Sequence, residues 1–374
     1  MKKASVITIL DCQNIGTYLQ AYTLSEILKK QGIAVEYIDY RRPQQSIWNF
    51  SVKKVMTDKS LSVIYRIFSA GYRLAIHPIA KYRLRQFVKK NLNLTQITYH
   101  SYNDLQKQIP LADIYITGSD QVWNSSYNNG VDKSYFLDFA PANKKRISYA
   151  ASIGLKSFPQ EEMELTRELL LKYNHLSVRE LSAVSLLNQI GVSNVTYVLD
   201  PTLLFTKENW ENFALQDTFV KKESYLLIYS VEKNRKNLIN EYALKIAKQR
   251  NLKIYQVTAG WFSEKIPCCD RLFSFSSPQR FINLMLQADF ILVSSFHGTV
   301  FSANLNKQFF SVCPKDFSSR IESFLELVQL ENRLIYEENN DVLQIQDCNF
   351  DITNQILDAE RKKSIEFIEN AIVK

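Results

Sequence analysis

Histidine and cysteine are scarce in this chain, with four and five residues among 374. Cys12, Cys268, Cys269, Cys313 and Cys348 form an odd set with neither CxxC spacing nor paired histidines. That pattern argues against a disulfide framework and a structural zinc site, and the adjacent Cys268 and Cys269 read as ordinary thiols rather than a redox pair. Long apolar runs are missing too: no uninterrupted stretch approaches the ~20 residues that span a bilayer. The opening MKKASVITILDCQNIG has two lysines and a short apolar run, but Asp11 ends the run and no small-residue cleavage site follows. The expectation is a first β-strand rather than a signal peptide, and a cytoplasmic protein. No short-period repeat or low-complexity tract is visible, which sets aside repeat architectures and disordered arrays.

What is present suits a soluble globular protein: 46% hydrophobic and 22% charged residues. The length suggests two domains of roughly 150–200 residues. The net charge of +8 is concentrated, because between residues 51 and 90 ten Lys or Arg stand against one acid, Asp58. There Leu61, Ile64, Ile67, Phe68, Leu74 and Ile76 interleave with Arg66, Arg73 and the cluster KYRLRQFVKK, a pattern of helices with one apolar and one cationic face. A solvated face packed on its own domain is the simpler reading of such a run. No nucleic-acid motif accompanies the charge, so nucleic acid is not an expected partner.

SVITIL, LQAYTLSEILKKQG and AVEYIDY alternate as strand, helix and strand, the βαβ unit of a parallel sheet, with DCQNIGT as the turn. ADIYITGSDQVWN, RISYAASIG, HLSVRE and VTYVLDPTLL continue the series to about residue 205. After LQDTFVKKE, a second series runs through SYLLIYSV, NRKNLINEYALKIAKQRN, LKIYQVT, SPQRFINLMLQA, DFILVSS and GTVFSANLN, with Ser277-Pro278 as a helix start. The expected fold class is α/β, two Rossmann-like domains facing across a cleft. The N-terminal domain spans 1–215 with a basic helical insertion at about 51–90, the C-terminal domain spans 216–350, and a helix over 351–374 packs back toward the N-terminal domain.

Open parallel sheets bind ligands beyond the carboxyl ends of their strands, and two stretches fall there. In SSFHGTVFSANL, His297 follows the run ADFILV. Gly298 would let backbone approach a ligand, and a helix start at Gly298 and Thr299 would offer N–H groups and positive dipole to phosphate or carboxylate. From position alone, a capping or packing histidine is an equal alternative. GSDQVWN supplies Asp120 as a candidate base, Gln121 and Asn124 as hydrogen-bonding groups, and Trp123 as a flat wall for a sugar. An Asx-turn with a buried Trp is the simpler reading of that motif alone. Arg179, in SVRE, suits bidentate contact with a carboxylate or phosphate, although an isolated strand-end Arg is more often in a structural ion pair.

Together, NIGTYLQAYTLSEIL, ITGSDQVWN, YFLDFA, KKRISYAASIG, LSVRE, VLDPTLL, SPQRFINLMLQADFILVSSFHGTVFSANLNKQFF and SRIESFLELVQLENR, in this order over most of the chain, resemble the polysaccharide pyruvyl transferases. Two positions depart from that family's pattern. Ile15 stands where an aromatic is usual between Asn14 and Gly16, and Ser294 replaces an Asp ahead of Ser295, Phe296, His297 and Gly298. The second removes a carboxylate near His297.

The resemblance implies a GT-B-like fold and transfer of the pyruvate unit of phosphoenolpyruvate to two hydroxyls of one sugar. The product would be a cyclic ketal made in capsular, exopolysaccharide or cell-wall glycan biosynthesis, with phosphate released. That chemistry needs an acid, a base and anion-binding groups, and we expect His297 as phosphate ligand and proton donor, Arg179 as anion clamp and Asp120 as base. Donor binding would fall to Arg179, Ser295, His297, Gly298 and Thr299, and acceptor binding to Asn14, Gly16, Gln121, Trp123, Asn124 and Ser152. The scheme requires no metal and no cofactor besides the donor substrate. Expected partners are phosphoenolpyruvate and a sugar acceptor, and segment 51–90 is expected to meet either the anionic inner face of the membrane or the diphosphate of a polyprenyl-linked acceptor. A nucleotide-sugar glycosyltransferase and a non-catalytic sugar-recognition protein of the same fold are the alternatives.

Overall fold

Short apolar strands build two parallel sheets in the computed structural model, which describes residues 1–12, 14–46, 53–57, 62–231, 235–258, 265–314, 318–336 and 346–373. In the first sheet, β1 (Lys3–Ile7), β2 (Ala34–Tyr40), β3 (Leu94–Tyr99), β4 (Ile114–Thr117) and β5 (Lys145–Ser148) pair in the order β3-β2-β1-β4-β5. Single parallel bridges from Ile147 to His175 and from Ala151 to Val178 carry it on to β6 (Leu176–Val178), which pairs with β7 (Val195–Tyr197). The second sheet contains β8 (Tyr225–Tyr229), β9 (Lys253–Val257), β10 (Arg271–Phe273), β11 (Phe290–Val293), β12 (Phe309–Val312) and β13 (Leu334–Ile335), ordered β10-β9-β8-β11-β12-β13. The inner strands IYIT, YLLIY and FILV are buried along their whole length, as strands are when helices cover both faces of a sheet. Strand order reverses between β1 and β4 and again between β8 and β11. Open parallel sheets take ligands beyond the carboxyl ends of their strands at such reversals.

Local chemistry sets the helix starts. Asn14 Oδ1 accepts the Gly16 amide at 3.0 Å and caps the helix Ile15–Lys30. That helix therefore begins inside the stretch expected as a turn, and Ile15 is buried in the core. β5 is shorter than RISYAASIG suggests, because Ala150 lies at φ 54, outside strand geometry. Asp200 caps the short helix Pro201–Leu204, Ser277 caps Pro278–Gln287 and Ser295 caps Phe296–Asn304.

One apolar core runs between the sheets. Tyr22 of the first series lies 5.2 Å from Phe213, Trp210 lies 5.0 Å from Phe301, and Phe301 lies 5.8 Å from Phe281 of the second series. The helix Asp351–Val373 covers part of the first sheet: Phe367 and Ile368 meet Leu24, Leu28, Ile116 and Tyr149. Lys2 Nζ and Lys145 Nζ donate to carbonyls at its C-terminal end, each at 3.2 Å, where the helix dipole favours cations.

The helix Val63–Asn91 buries Leu84, Phe87 and Val88 near its end but leaves Ile64, Ile67 and Phe68 exposed. Within the basic segment, Asp58, Lys59 and Leu61 lie outside the described residues, as do the side chains of Lys53, Lys54, Arg73, Ile76 and Lys81. Among the described residues no helix is long and apolar enough to cross a membrane.

Candidate active site

The turns after four strands bring distant residues to one buried cluster. Asp120 follows β4, Arg179 and Glu180 follow β6, Asp200 follows β7, and His297 follows β11. Arg179 holds the cluster together. Its Nη1 donates to Asp200 Oδ2 at 2.8 Å and to Ser119 Oγ at 3.3 Å, its Nε donates to Glu180 Oε1 at 3.4 Å, and its guanidinium lies 4.6 Å from the Phe296 ring centroid. Nη2 is left without a hydrogen bond, 3.6 Å from Asp120 Oδ1. Arg320 approaches the same Phe296 ring at 5.8 Å, and its buried Nε also lacks a partner. His297 is 3% exposed, and its Nε2 stands 3.7 Å from Asp200 Oδ2, beyond hydrogen-bond length and without another partner. Two buried guanidinium N–H groups and one imidazole nitrogen thus lack hydrogen-bond partners around Phe296 and Asp200, where native interiors usually satisfy such groups.

The surroundings of Asp120 and Asp200 favour the ionised form. Burial would raise Asp200, but His297, Arg179 and Thr202 outweigh it and hold that carboxyl far below the usual range. Thr202 supplies both its amide, at 2.9 Å, and its hydroxyl, at 2.7 Å. Burial likewise opposes the charge on Asp120, yet Arg179, His297 and Thr17 hold its pKa down. Thr17 Oγ1 donates to Asp120 Oδ2 at 2.5 Å, and the Gln121 amide donates to Oδ1 at 2.8 Å. Asp120 also sits at φ 80, an uncommon backbone region for any residue but glycine. Burial and the neighbouring Arg179 lower the pKa of Arg320, so this guanidinium lacks the charge compensation that Arg179 enjoys. Cys12, beside Asp120, is pushed up to about 11 by burial and that carboxylate, which keeps it a thiol.

The first turn of Phe296–Asn304 differs from expectation. His297 lies within the helix rather than ahead of it. The Gly298 amide is taken by Ser295 Oγ at 3.1 Å, and the Thr299 amide by the Ser295 carbonyl at 3.0 Å. Neither is open to a ligand, which corrects the donor-binding expectation for Gly298 and Thr299 and makes Ser295 a cap; the amides left open at this helix start are those of Phe296 and His297. Gly298 is required by packing: a Cβ there would lie 2.9 Å from both Val293 Cγ1 and Ser295 Oγ. Ser294, in place of the family's Asp, shares a 2.8 Å hydrogen bond with Ser230.

The expected acceptor residues divide. Asn14 and Gly16 lie where the two halves touch: Tyr229 Oη donates to Asn14 Oδ1 at 3.2 Å, and a Cβ on Gly16 would stand 2.2 Å from His297 Cγ. Gln121 sits beside Asp120 and accepts from Asn124 Nδ2 at 2.6 Å. Trp123 is 3% exposed, stacks on Phe136 at 5.6 Å and donates to the Tyr135 carbonyl, so it is a core residue and presents no wall to a sugar. Asn124 caps the short helix Ser125–Asn128. Ser152 is buried and donates to Glu180. Asp200, Glu180 and Arg320 were not singled out in the sequence. Asp200 had a signal, an Asp-Pro at a helix start after a strand, whereas nothing local distinguishes Arg320 from a surface helix arginine. Among the described residues no group of three or more His, Cys, Asp or Glu is placed to hold a metal ion.

Comparison with known proteins agrees with this architecture. A putative UDP-N-acetylglucosamine 2-epimerase from Listeria monocytogenes superposes with a TM-score of 0.54 at 11% identity, covering 99% of this chain and 91% of that one. The UDP-GlcNAc 2-epimerase of Methanocaldococcus jannaschii, in complex with UDP-GlcNAc and UDP, gives 0.52 at 14% identity over 100% and 99%. These are GT-B proteins, and at such identities the likeness shows the fold alone; this chain has the GT-B fold expected from its sequence. No curated protein sequence matches it significantly. The sequence profile of the polysaccharide pyruvyl transferases does match, over residues 14–313, a span that holds every residue of the cluster but Arg320. The chain belongs to the polysaccharide pyruvyl transferase family.

Proposed function

We propose that the chain transfers the pyruvate unit of phosphoenolpyruvate to two hydroxyls of a sugar, forming a cyclic ketal and releasing phosphate. The observation that carries this reading is the set of buried nitrogens without hydrogen-bond partners, Arg179 Nη2, Arg320 Nε and His297 Nε2. Each costs about 1–3 kcal/mol while unpaired, and a small ligand bearing a carboxylate and a phosphate has the oxygens to satisfy them. The open amides of Phe296 and His297 add donors at a positive helix end.

The reaction needs a proton on the enol CH2 carbon and a sugar hydroxyl attacking the adjacent carbon as positive charge develops there. The bond to the phosphate oxygen then breaks, and the second hydroxyl closes the ring. The two hydroxyl protons balance the one placed on the new methyl group and the one that leaves with phosphate. Imidazole is the side chain suited to exchange a proton near neutral pH, so His297 takes the acid role. Asp120, with its depressed pKa, is a weak base. Its fixed charge, with that of Asp200, suits stabilisation of the cationic carbon. Glu180 Oε2 is buried with no donor, which favours Glu180 over Asp120 as acceptor of a sugar hydroxyl proton. Burial of His297, Arg179 and Asp200 favours a site that closes after binding and protects a reactive carbon from water. In this reading the sugar is carried on a polyprenyl diphosphate, a polyanion matched to the basic segment 51–90.

The test is phosphate release from phosphoenolpyruvate with a panel of lipid-linked and nucleotide-linked sugars, with the ketal identified by mass spectrometry. His297→Asn should lower turnover by roughly 10²–10⁴-fold and Arg320→Met by roughly 10²–10³-fold, each while melting like the wild type. Release of nucleotide from a nucleotide sugar would assign a glycosyltransferase instead, and normal turnover in His297→Asn would remove the histidine from the mechanism.

A further inference from the structure

The first three turns of the helix Val63–Asn91 are bare on the face where a core helix would be covered. Ile64, Ile67, Phe68 and Leu74 share one side of the helix and are 70%, 59%, 76% and 45% exposed. Ala70, at the edge of the stripe between Ile67 and Leu74, is buried, and on the other side Arg66 Nη1 donates to the Met56 carbonyl of the short helix Lys53–Met56 at 3.1 Å. Farther along, Leu84, Phe87 and Val88 anchor the same helix in the core, while Arg83, Arg85, Lys89 and Lys90 are exposed. The bare stripe and the cations are therefore held on one continuous helix fixed to the body of the protein.

We propose that this helix docks the protein on an anionic lipid surface, with the stripe from Ile64 to Leu74 at the headgroup–acyl boundary and the basic residues against the headgroups. Charge complementarity selects the occupant. Residues 51–90 carry ten Lys or Arg and one acid, so pairing this face with a second copy would bring two strongly positive segments together. A nucleic acid would satisfy the cations and leave the stripe in water. A membrane interface accepts both halves of the helix, and Tyr65 and Tyr72, both exposed, are side chains that favour that depth. The anchored end also packs on the helix Ile15–Lys30, whose first turn holds Gly16 against His297: Phe87 lies 5.8 Å from Tyr22. That placement suits a sugar presented by a lipid carrier, a point that rests on the proposed function; the docking itself does not.

The experiment is co-sedimentation of the full chain with vesicles of phosphatidylcholine alone or mixed with phosphatidylglycerol, read without any turnover. The wild type should bind the mixed vesicles, bind the neutral ones at least ~10-fold less, and release as salt rises. Ile67→Ser with Phe68→Ser, at exposed positions, should weaken binding about 10-fold or more. Reversal of Arg83, Arg85, Lys89 and Lys90 to Glu should weaken it by ~10²–10³-fold, from roughly fivefold per basic residue. No binding to mixed vesicles overturns the inference, as does wild-type binding by the double Ser variant. A wild-type dimer in sedimentation equilibrium that the double Ser variant dissolves, without vesicle binding, would assign the face to self-association and overturn it as well.

Discussion

Gly16→Ala tests how closely the two halves of the site are fitted. The added Cβ would stand 2.2 Å from His297 Cγ and 2.5 Å from its Cβ and Nδ1, about 1.3 Å short of the ~3.5 Å at which carbon atoms touch. The histidine has little room to retreat, since its Nε2 faces Asp200 at 3.7 Å and its ring centroid lies 5.4 Å from that of Phe296. Either the ring shifts or the helices Ile15–Lys30 and Phe296–Asn304 separate. Without this contact, Ala in place of Gly inside a helix would stabilise the protein by about 0.5–1 kcal/mol; overpacking a filled site costs about 1–3 kcal/mol. The sign of the change therefore discriminates between the two: the melting temperature should fall. A displacement near 1 Å at a reacting group costs on the order of 10²-fold in rate, so phosphate release should drop by about that factor in the folded variant. A raised melting temperature with unchanged turnover would refute the contact.

Two further expectations concern the charges of the cluster. Arg179→Lys replaces a fork that reaches Asp200, Glu180 and Ser119 with a single ammonium, so calorimetry should show both a lower melting temperature and much weaker phosphoenolpyruvate binding; normal binding by a merely less stable variant would make Arg179 a structural residue only. Asp120 has a lowered pKa in the folded state, so it contributes stability above the unfolded carboxylate pKa of ~3.9 and loses it as pH falls toward the folded value. Asp120→Asn, with a residue that tolerates positive φ, should be less stable than wild type at pH 7, with the gap narrowing in urea titrations below about pH 4; a gap constant down to pH 3 would contradict the assignment.

Alternating apolar and polar runs were enough to read the parallel α/β arrangement, because burial on both faces writes itself into strands such as YLLIY and FILV. The placement of His297 and Arg179 after strands was legible for a related reason, since each follows an apolar run. Trp123 misled because GSDQVWN does not record that the Tyr135 carbonyl and Phe136, beyond the motif and its following helix, enclose the indole. Gly298 and Thr299 misled because a cap one or two residues earlier is enough to move a helix start and consume its amides.

The sequence by itself determined the alternation of parallel strands with helices, the excess of charge in residues 51–90 and the strand-end positions of the chemical residues, all of which depend on neighbours within a few turns of chain. Only the tertiary structure decided that Asp120, Arg179, Asp200 and His297 share one buried cluster, that Arg320 meets the same Phe296 ring as Arg179, and that Ile64 and Phe68 remain uncovered. Those outcomes depend on which surfaces the two sheets bury against each other, and long-range packing of that kind leaves no periodic trace in the chain.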